Sequence, residues 1–400
     1  MSDKMYSSDK YYWLLKPELN SNLTDEFRSC LTQLQEILRQ NELSTDSVIK
    51  QTIFIQANTN EEYYQQSHFL FTELKKFYPV TLPPTSFVAQ PPEDQLKCAL
   101  ELTILNQKSS EVRLERKKYN GLSYTVIKYP EASEVYGGGL TTNGKPSSIL
   151  ESAENSFKLM EGILKSEQLS FANVVRQWNY IEKILEINYQ KQKMLQNYQV
   201  FNDVRSRYYS KNSFSHGYPA ATGIGMYAGG VVLEFVAVDH SPAVKVVAIK
   251  NPRQLNAYSY SQEVLVGKPV SQTAGKTSPK FERAKFVSFQ NQAQVYISGT
   301  AAIIGQDSIP AKNAGEQTIT TIENIQQLIS EMNLQNHNID LKTAKLTLSY
   351  LRVYVKNNKS VEEVKGVCEK YFPQVPTLYL ISDICRPELL VEIEGVAEWQ

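Results

Sequence analysis

The order of hydrophobic periodicities along this 400-residue chain predicts an α+β protein. Three observations carry the prediction. Stretches with apolar residues at helical spacing alternate with short runs rich in β-branched and aromatic residues. The order helix–strand–helix–strand–strand occurs near both ends of the chain. An apolar share of 42% supports a real core and is too high for disorder. The expectation is two layered units with helices on one face of a mixed sheet, joined by a long helical and loop middle segment. The expected division is residues 1–135 and 136–400, the catalytic half being the second.

The first unit opens with Leu31, Leu34, Ile37 and Leu38 on one helical face. "VIKQTIFIQ" reads as a strand. "NTNEEYYQQSHFLFTELKKF" reads as a helix capped by Asn58 or Thr59. "PTSFVAQ" and "LKCALELTIL" read as two further strands. In the middle, "GGGLTTNGKPSS" at 137–148 reads as a loop, and 149–195 reads as helical. "FNDVRSRYY" continues as helix, "GYPAATGIGM" as a turn, and "PAVKVVAIKNP" and "QVYISGTAAII" as strands. "TSPKFERAKF" at 277–286 reads as an exposed charged connection without chemistry. The second unit follows with a helix in "GEQTITTIENIQQLISEMNL" and a strand in "AKLTLSYLRVYVK". A helix begins near Lys359 or Ser360, and "TLYLISDI" and "LLVEIEGVAEW" close the chain.

Composition excludes several function classes. Forty-two basic residues balance forty-two acidic ones, so no global field favours nucleic acid or an anionic membrane. The N-terminus has no signal-peptide pattern and no run of eighteen apolar residues occurs, so a cytoplasmic protein is expected. Cys30, Cys98, Cys368 and Cys385 form neither a disulfide framework nor a CxxC pair. His68, His216, His240 and His337 are dispersed, and no metal is expected.

"SDICRPELLVEIEG" at 382–395 holds two residues of interest. By strand alternation Leu390, Glu392, Glu394 and Val396 share one face, which pattern alone would assign to a water-facing side. A lone cysteine such as Cys385 reads as a small buried hydrophobe. Gly299 reads as a bulge or curvature glycine. The loose GxG in "GYPAATGIGM" lacks a dinucleotide fingerprint; its small residues allow close backbone approach, with Tyr218 and Thr222 offering hydroxyls.

Five segments in order, "VVRQWNYI", "FNDVRSRYY", "GYPAATGIGM", "ISGTAAI" and "DICRPELLVEIE", resemble the chorismatase family. The two end units resemble the RidA/YjgF, chorismate-mutase-like fold. The resemblance implies a chorismate site in the second half with Glu392 as general acid, and Ala99 at the matching position of the degenerate first unit. Cys385 matches the cysteine of the hydroxybenzoate-forming branch, where it would touch the ring or position the departing hydroxyl. Gly299 points to the same branch by leaving room for a different substrate pose. Two substrate carboxylates need cations; Arg205 and Arg352 lie in the resembling segments, with Arg176 and Arg386 behind them. Thr300 and Tyr379 join Tyr218 and Thr222 as polar contacts. No cofactor is implied. The expected reaction releases pyruvate and a hydroxybenzoate, most simply 3-hydroxybenzoate. Water capture would instead give a dihydroxycyclohexadiene carboxylate. An imine-hydrolysing or ligand-binding RidA-like role is disfavoured by the lack of an arginine in "PTLYLISDI". A self-contained monomer is expected, with a trimer as the open alternative.

Overall fold

The computed structural model describes residues 9–19, 22–106, 111–142, 144–190, 193–265, 275–290, 292–340 and 346–399. It is an α+β structure with three layered units. The first contains β1 (Lys10–Leu15), α1 (Leu23–Gln40), β2 (Val48–Ile55), α2 (Asn60–Phe77), β3 (Thr85–Val88) and β4 (Cys98–Leu105). Thr59 caps α2 by accepting from the Glu62 amide. The strand order is β1-β4-β2-β3.

The middle differs from the expected helices and loops. It begins with β5 (Arg113–Tyr119), β6 (Leu122–Lys128), β7 (Ser133–Leu140), α3 (Ile149–Ser166) and β8 (Val174–Glu182). A hairpin of β9 (Ile187–Gln190) and β10 (Lys193–Gln196) leads to α4 (Asn197–Tyr209), β11 (Ala220–Met226) and β12 (Val231–Val238). These strands, the hairpin apart, form a sheet ordered β11-β8-β12-β7-β6-β5. The expected boundary at 135/136 falls inside β7. β8 falls inside the stretch read as helical because it is buried almost throughout, so no alternation marks it as a strand. The glycine run is likewise strand. A Cβ on Gly137 would overlap the Phe235 ring, and one on Gly139 would overlap the Thr85 carbonyl. Gly139 lets the second sheet close on the first, and Gly137 makes room for the ring of its own ladder partner.

The third unit contains β13 (Lys245–Ile249), β14 (Ala284–Phe289), β15 (Gln292–Ala301), a small hairpin of β16 (Ile303–Ile304) and β17 (Asp307–Ser308), α5 (Ala314–Leu328), α6 (Glu331–Asn336), β18 (Leu346–Val355), α7 (Val361–Tyr371), β19 (Thr377–Ile381) and β20 (Val391–Trp399). Its sheet order, β13-β14-β15-β20-β18-β19, repeats that of the second sheet, and the first sheet matches its last four positions.

Each sheet is covered on both faces. In the third unit, Leu351, Val353, Ile393 and Ala397 face outward into a core shared with α5 and α7. Tyr350, Tyr354 and Val396 point the other way, into a core shared with the other two sheets. All nine residues of β20 are buried, so the water-facing side expected from its alternation does not exist.

Three glutamates, one on the last strand of each unit, occupy that shared interior: Glu101, Glu234 and Glu394, each at most 1% exposed. In its own sheet each lies opposite an equivalent residue, Thr52, Trp178 and Arg352 respectively. Thr52 and Trp178 bond to the next unit's glutamate instead, and Arg352 bonds to the next unit's as well as to its own. Thr52 donates to Glu234 at 2.6 Å, joined by Lys50 at 2.9 Å. Trp178 Nε1 donates to Glu394 at 3.0 Å, joined by Arg176. Arg352 donates to Glu101 at 3.0 and 2.6 Å, closing the ring. Among the described residues no helix is long and apolar enough to cross a membrane.

Breaking one buried pair strands a charge, which typically costs about 3–5 kcal/mol. Arg352→Met should therefore lower the melting temperature sharply. A melting curve superimposable on the wild type would show that the ring is not a stabilising element.

Candidate active site

The second and third units meet around one cavity that holds a carboxyl. The third unit supplies Glu392 from β20 and Gly299 from β15; the second supplies Gly223 from β11 and Tyr198 and Asn202 from α4. Two connections complete it. Tyr260, Phe281 and Arg283 come from the chain between β13 and β14, and Cys385 and Arg386 from the chain between β19 and β20.

Glu392 is 4% exposed. It lies opposite Ala301 on β15 and Tyr354 on β18. Among the described residues nothing donates a hydrogen bond to its carboxyl. Burial, with the charge of Glu394 adding to it, pushes its pKa up to about 8, against the pull of Arg176 and Arg283. Its neighbour Glu394 is the opposite case. Burial pushes it up, but Arg176 and Arg352 hold it below the ordinary carboxylate value. Two carboxyls on one strand face thus differ in protonation at neutral pH, the arrangement that separates an acid from a fixed charge.

The β15 ladder slips between Ile297 and Thr300, a bulge centred near Gly299. Its amide leaves the ladder and donates to Thr222 Oγ1 at 2.9 Å. A Cβ at Gly299 would overlap Oε1 of Glu392. The bulge and the missing side chain together make the space that the glutamate occupies.

Arg283 and Arg386 are 2% and 8% exposed. Their guanidinium groups lie 5.7 and 5.2 Å from the Tyr260 ring centre. Arg283 donates to Leu255 O and to Tyr260 OH, and Arg386 to Gln306 O and Ser308 Oγ. Both cations are thereby fixed before any ligand arrives. Burial, followed by the charge of Glu392, pushes the Cys385 thiol up to about 12, so the group is a thiol and not a nucleophilic thiolate. A larger cleft of about 810 Å³ lies beyond α4, with Asp203 and Arg207 among its lining. Its Glu182 is bonded to Asn60 and the Gly230 amide, and its Asp203, raised by burial, accepts from Gln199 through one oxygen. Among the described residues no three His, Cys, Asp or Glu side chains converge as a metal site.

Residues 115–237 match the model of the family described as chorismatase FkbO/Hyg5-like, N-terminal. That stretch resembles a chorismatase N-terminal domain. A 3-hydroxybenzoate synthase of Streptomyces hygroscopicus is 31% identical over 236 residues, 58% of this chain and 65% of that protein. A chorismatase of Streptomyces rapamycinicus is 29% identical over 232 residues, 57% of this chain and 65% of that protein. These matches span just under two thirds of the relatives' length. A chorismatase crystal structure superposes with a TM-score of 0.67 over 99% of both chains at 20% identity, a likeness of fold.

Of the residues expected at the site, Glu392, Cys385, Gly299 and Arg386 line the cavity, and the others do not. Arg352 is spent on Glu101 and Glu394 and belongs to the ring between units. Thr222 donates to Glu394 and accepts from Arg176 and the Gly299 amide, so it anchors the wall from behind. Thr300 is fully buried and donates to Ser298 O. Tyr218 stacks on Tyr209 outside the cavity. Tyr379 packs beside Lys16 and Lys365 at the other edge of the third unit. Arg205 is buried beneath the wall, donating to Asn202, which does line the cavity. The expected turn at 217–226 is mostly strand β11.

The largest omission is the stretch 277–286. Phe281 and Arg283 line the cavity, whereas charge density suggested an exposed connection. An arginine between two aromatic residues, Phe281 and Phe286, was the available signal. Arg386 was ranked low, yet it stands just before β20 in the cavity. The absence of arginine from 376–384 therefore does not by itself argue against an imine-hydrolysing role.

Gly299→Ala should fold with little change in stability, because the added methyl meets the end of a flexible side chain. It should displace the Glu392 carboxyl and cut activity, by about a hundredfold if the shift approaches 1 Å. Unchanged turnover with a melting point near the wild type would show that the seat of Glu392 does not matter.

Proposed function

We propose that the protein cleaves the enolpyruvyl ether of chorismate, using Glu392 as general acid, and releases pyruvate and a hydroxybenzoate, 3-hydroxybenzoate in the main. The observation that carries this is a buried carboxyl, free of donors among the described residues and facing a cavity flanked by two fixed arginines. Chorismate is a dianion, so Arg283 and Arg386 are the residues assigned to its carboxylates. Arg205 acts behind them by fixing Asn202.

The protonated carboxyl of Glu392 donates its proton to the methylene carbon of the enolpyruvyl group. An oxocarbenium centre forms, and the carboxylate left behind faces it. Capture by the neighbouring ring hydroxyl, loss of a ring proton and departure of pyruvate give an aromatic product with no net water consumed. Capture by external water would give a dihydroxycyclohexadiene carboxylate plus pyruvate. The relative named 3-hydroxybenzoate synthase favours the first route, and so does Cys385, a neutral thiol suited to contact with the ring. The ring that closes the three units on one another supports action as a monomer.

Incubation with chorismate should release pyruvate, with an aromatic product identified by chromatography; no pyruvate release would sink the reading. Glu392→Gln should lose about a hundred- to ten-thousand-fold in turnover. Activity should fall as pH rises through about 8, where Glu392 loses its proton. Stability gives an independent check. The folded pKa of Glu392 lies above its unfolded value, so its contribution is complete below about 4.5 and lost as pH rises through about 8. The wild type should therefore lose melting temperature relative to Glu392→Gln across that interval. Parallel curves would mean that Glu392 is ionised throughout.

A further inference from the structure

We propose that Glu394, Arg176 and Thr222 form a positioning set that sets the proton affinity of Glu392 and aims its carboxyl into the cavity. This rests on the reading of Glu392 as the acid.

The geometry is that of two carboxyls treated in opposite ways. Glu394 lies two residues along β20 from Glu392, on the same face. Both its oxygens are saturated. Oε2 accepts from Arg176 Nη2 and Thr222 Oγ1. Oε1 accepts from Trp178 Nε1 at 3.0 Å and Tyr354 OH at 3.0 Å, and pairs with Arg352 Nη1 at 2.9 Å. A carboxyl surrounded by five donors holds its charge. That fixed charge disfavours a second one on Glu392.

Thr222 couples charge to aim. The same hydroxyl that donates to Glu394 accepts the amide of Gly299, and Gly299 is the residue against which Glu392 Oε1 rests. Arg176 is the counterweight. It is 1% exposed and stacked 4.6 Å from the Trp178 ring centre. Its Nη2 serves Glu394 and Thr222, while Nε and Nη1 are buried without partners among the described residues. Its charge is therefore only partly absorbed by Glu394, and the remainder lowers Glu392.

The other groups around Glu392 are Arg283 before β14, Tyr198 on α4, Tyr354 opposite on β18, and Cys385 and Arg386 before β20. Tyr198 and Cys385 are neutral at the pH of interest, since burial raises both. Lys285 on β14 also titrates near 8, lowered by burial, but it donates to His216 O and Gly217 O. A limb caused by Lys285 would ignore substitutions at 176 and 394.

The test is the alkaline limb of kcat/KM for chorismate in the full-length protein. Glu394→Gln should move the limb to lower pH by about one unit or more, and Arg176→Met should move it to higher pH by a comparable amount. Arg176→Lys should keep it near the wild type. Each should lower the low-pH plateau in part as the carboxyl loses its aim, so the limb is read relative to each variant's own plateau. A purely structural role predicts lower plateaus with limbs that stay put. If Glu394→Gln does not fold, the Arg176 pair decides alone, and an unmoved limb in Arg176→Met overturns the proposal. Full activity in Glu392→Gln would instead remove the acid reading. An inactive Glu392→Gln beside unmoved limbs removes only this inference.

Discussion

The fold depends on the ring in which each unit's long inner strand bonds to the final-strand glutamate of the next. Glu101, Glu234 and Glu394 are buried charges that a single unit could not tolerate alone. Each gains donors when the next surface arrives, Lys50 and Thr52, Arg176 and Trp178, or Arg352, and Glu394 adds them to the Arg352 and Tyr354 of its own unit. Buried ion pairs add little net stability against apolar residues of the same shape. What they restrict is arrangement. Apolar inner faces could slide across one another, whereas these glutamates meet their donors in one mutual placement.

That placement makes three equivalent positions between units, and one of them opens into a cavity with a carboxyl. Where the third unit has Glu392, the first has Ala99 and the second Val232, each the ladder partner of an equivalent residue, Tyr354, Phe54 or Tyr180. The wall position is equally divergent. Gly223 pairs with Asn179, while Tyr379 pairs with Val353 and Phe87 with Ile53. Beside Tyr379, Lys16 and Lys365 both bridge to Glu93 and fill the space. Beside Phe87, the Tyr63 hydroxyl closes onto the backbone. A large side chain replaces a glycine in both clefts that lack the acid.

What could be read from the sequence follows from which signals are local. The end units were legible because their helices carry one apolar stripe and their caps are where composition puts them, as at Thr59. The middle unit was not, because β8 and β7 are buried on both faces and their polar residues, such as Arg176 and Glu134, point into a core instead of marking a surface. The same cause misled the arginines. Arg352 has the right chemistry for a carboxylate and found one, Glu101, some 250 residues earlier in the chain. Arg283 sits in a stretch whose charge density resembles solvent-exposed loop. Pairing between units is invisible to periodicity, so only the family resemblance separated Glu392 from Glu394.

The distinction between those two residues is the sharpest consequence of the ring. Both are glutamates on one face of one strand, and both are buried. Glu394 lies where the second unit's donors reach the third, so burial leaves it charged. Glu392 lies one step closer to the strand's start, opposite the bulge at Gly299, where the ladder slips and no donor follows. A neutral carboxyl buried without a partner costs about 1–3 kcal/mol, and the further cost of its ionisation grows with pH. On β20 the protein bears this at Glu392 while saturating both oxygens of the neighbour. Its carboxyl is raised without a special residue: among the described residues it is the inner-strand carboxyl of β20 that the closure of the three units leaves without a donor.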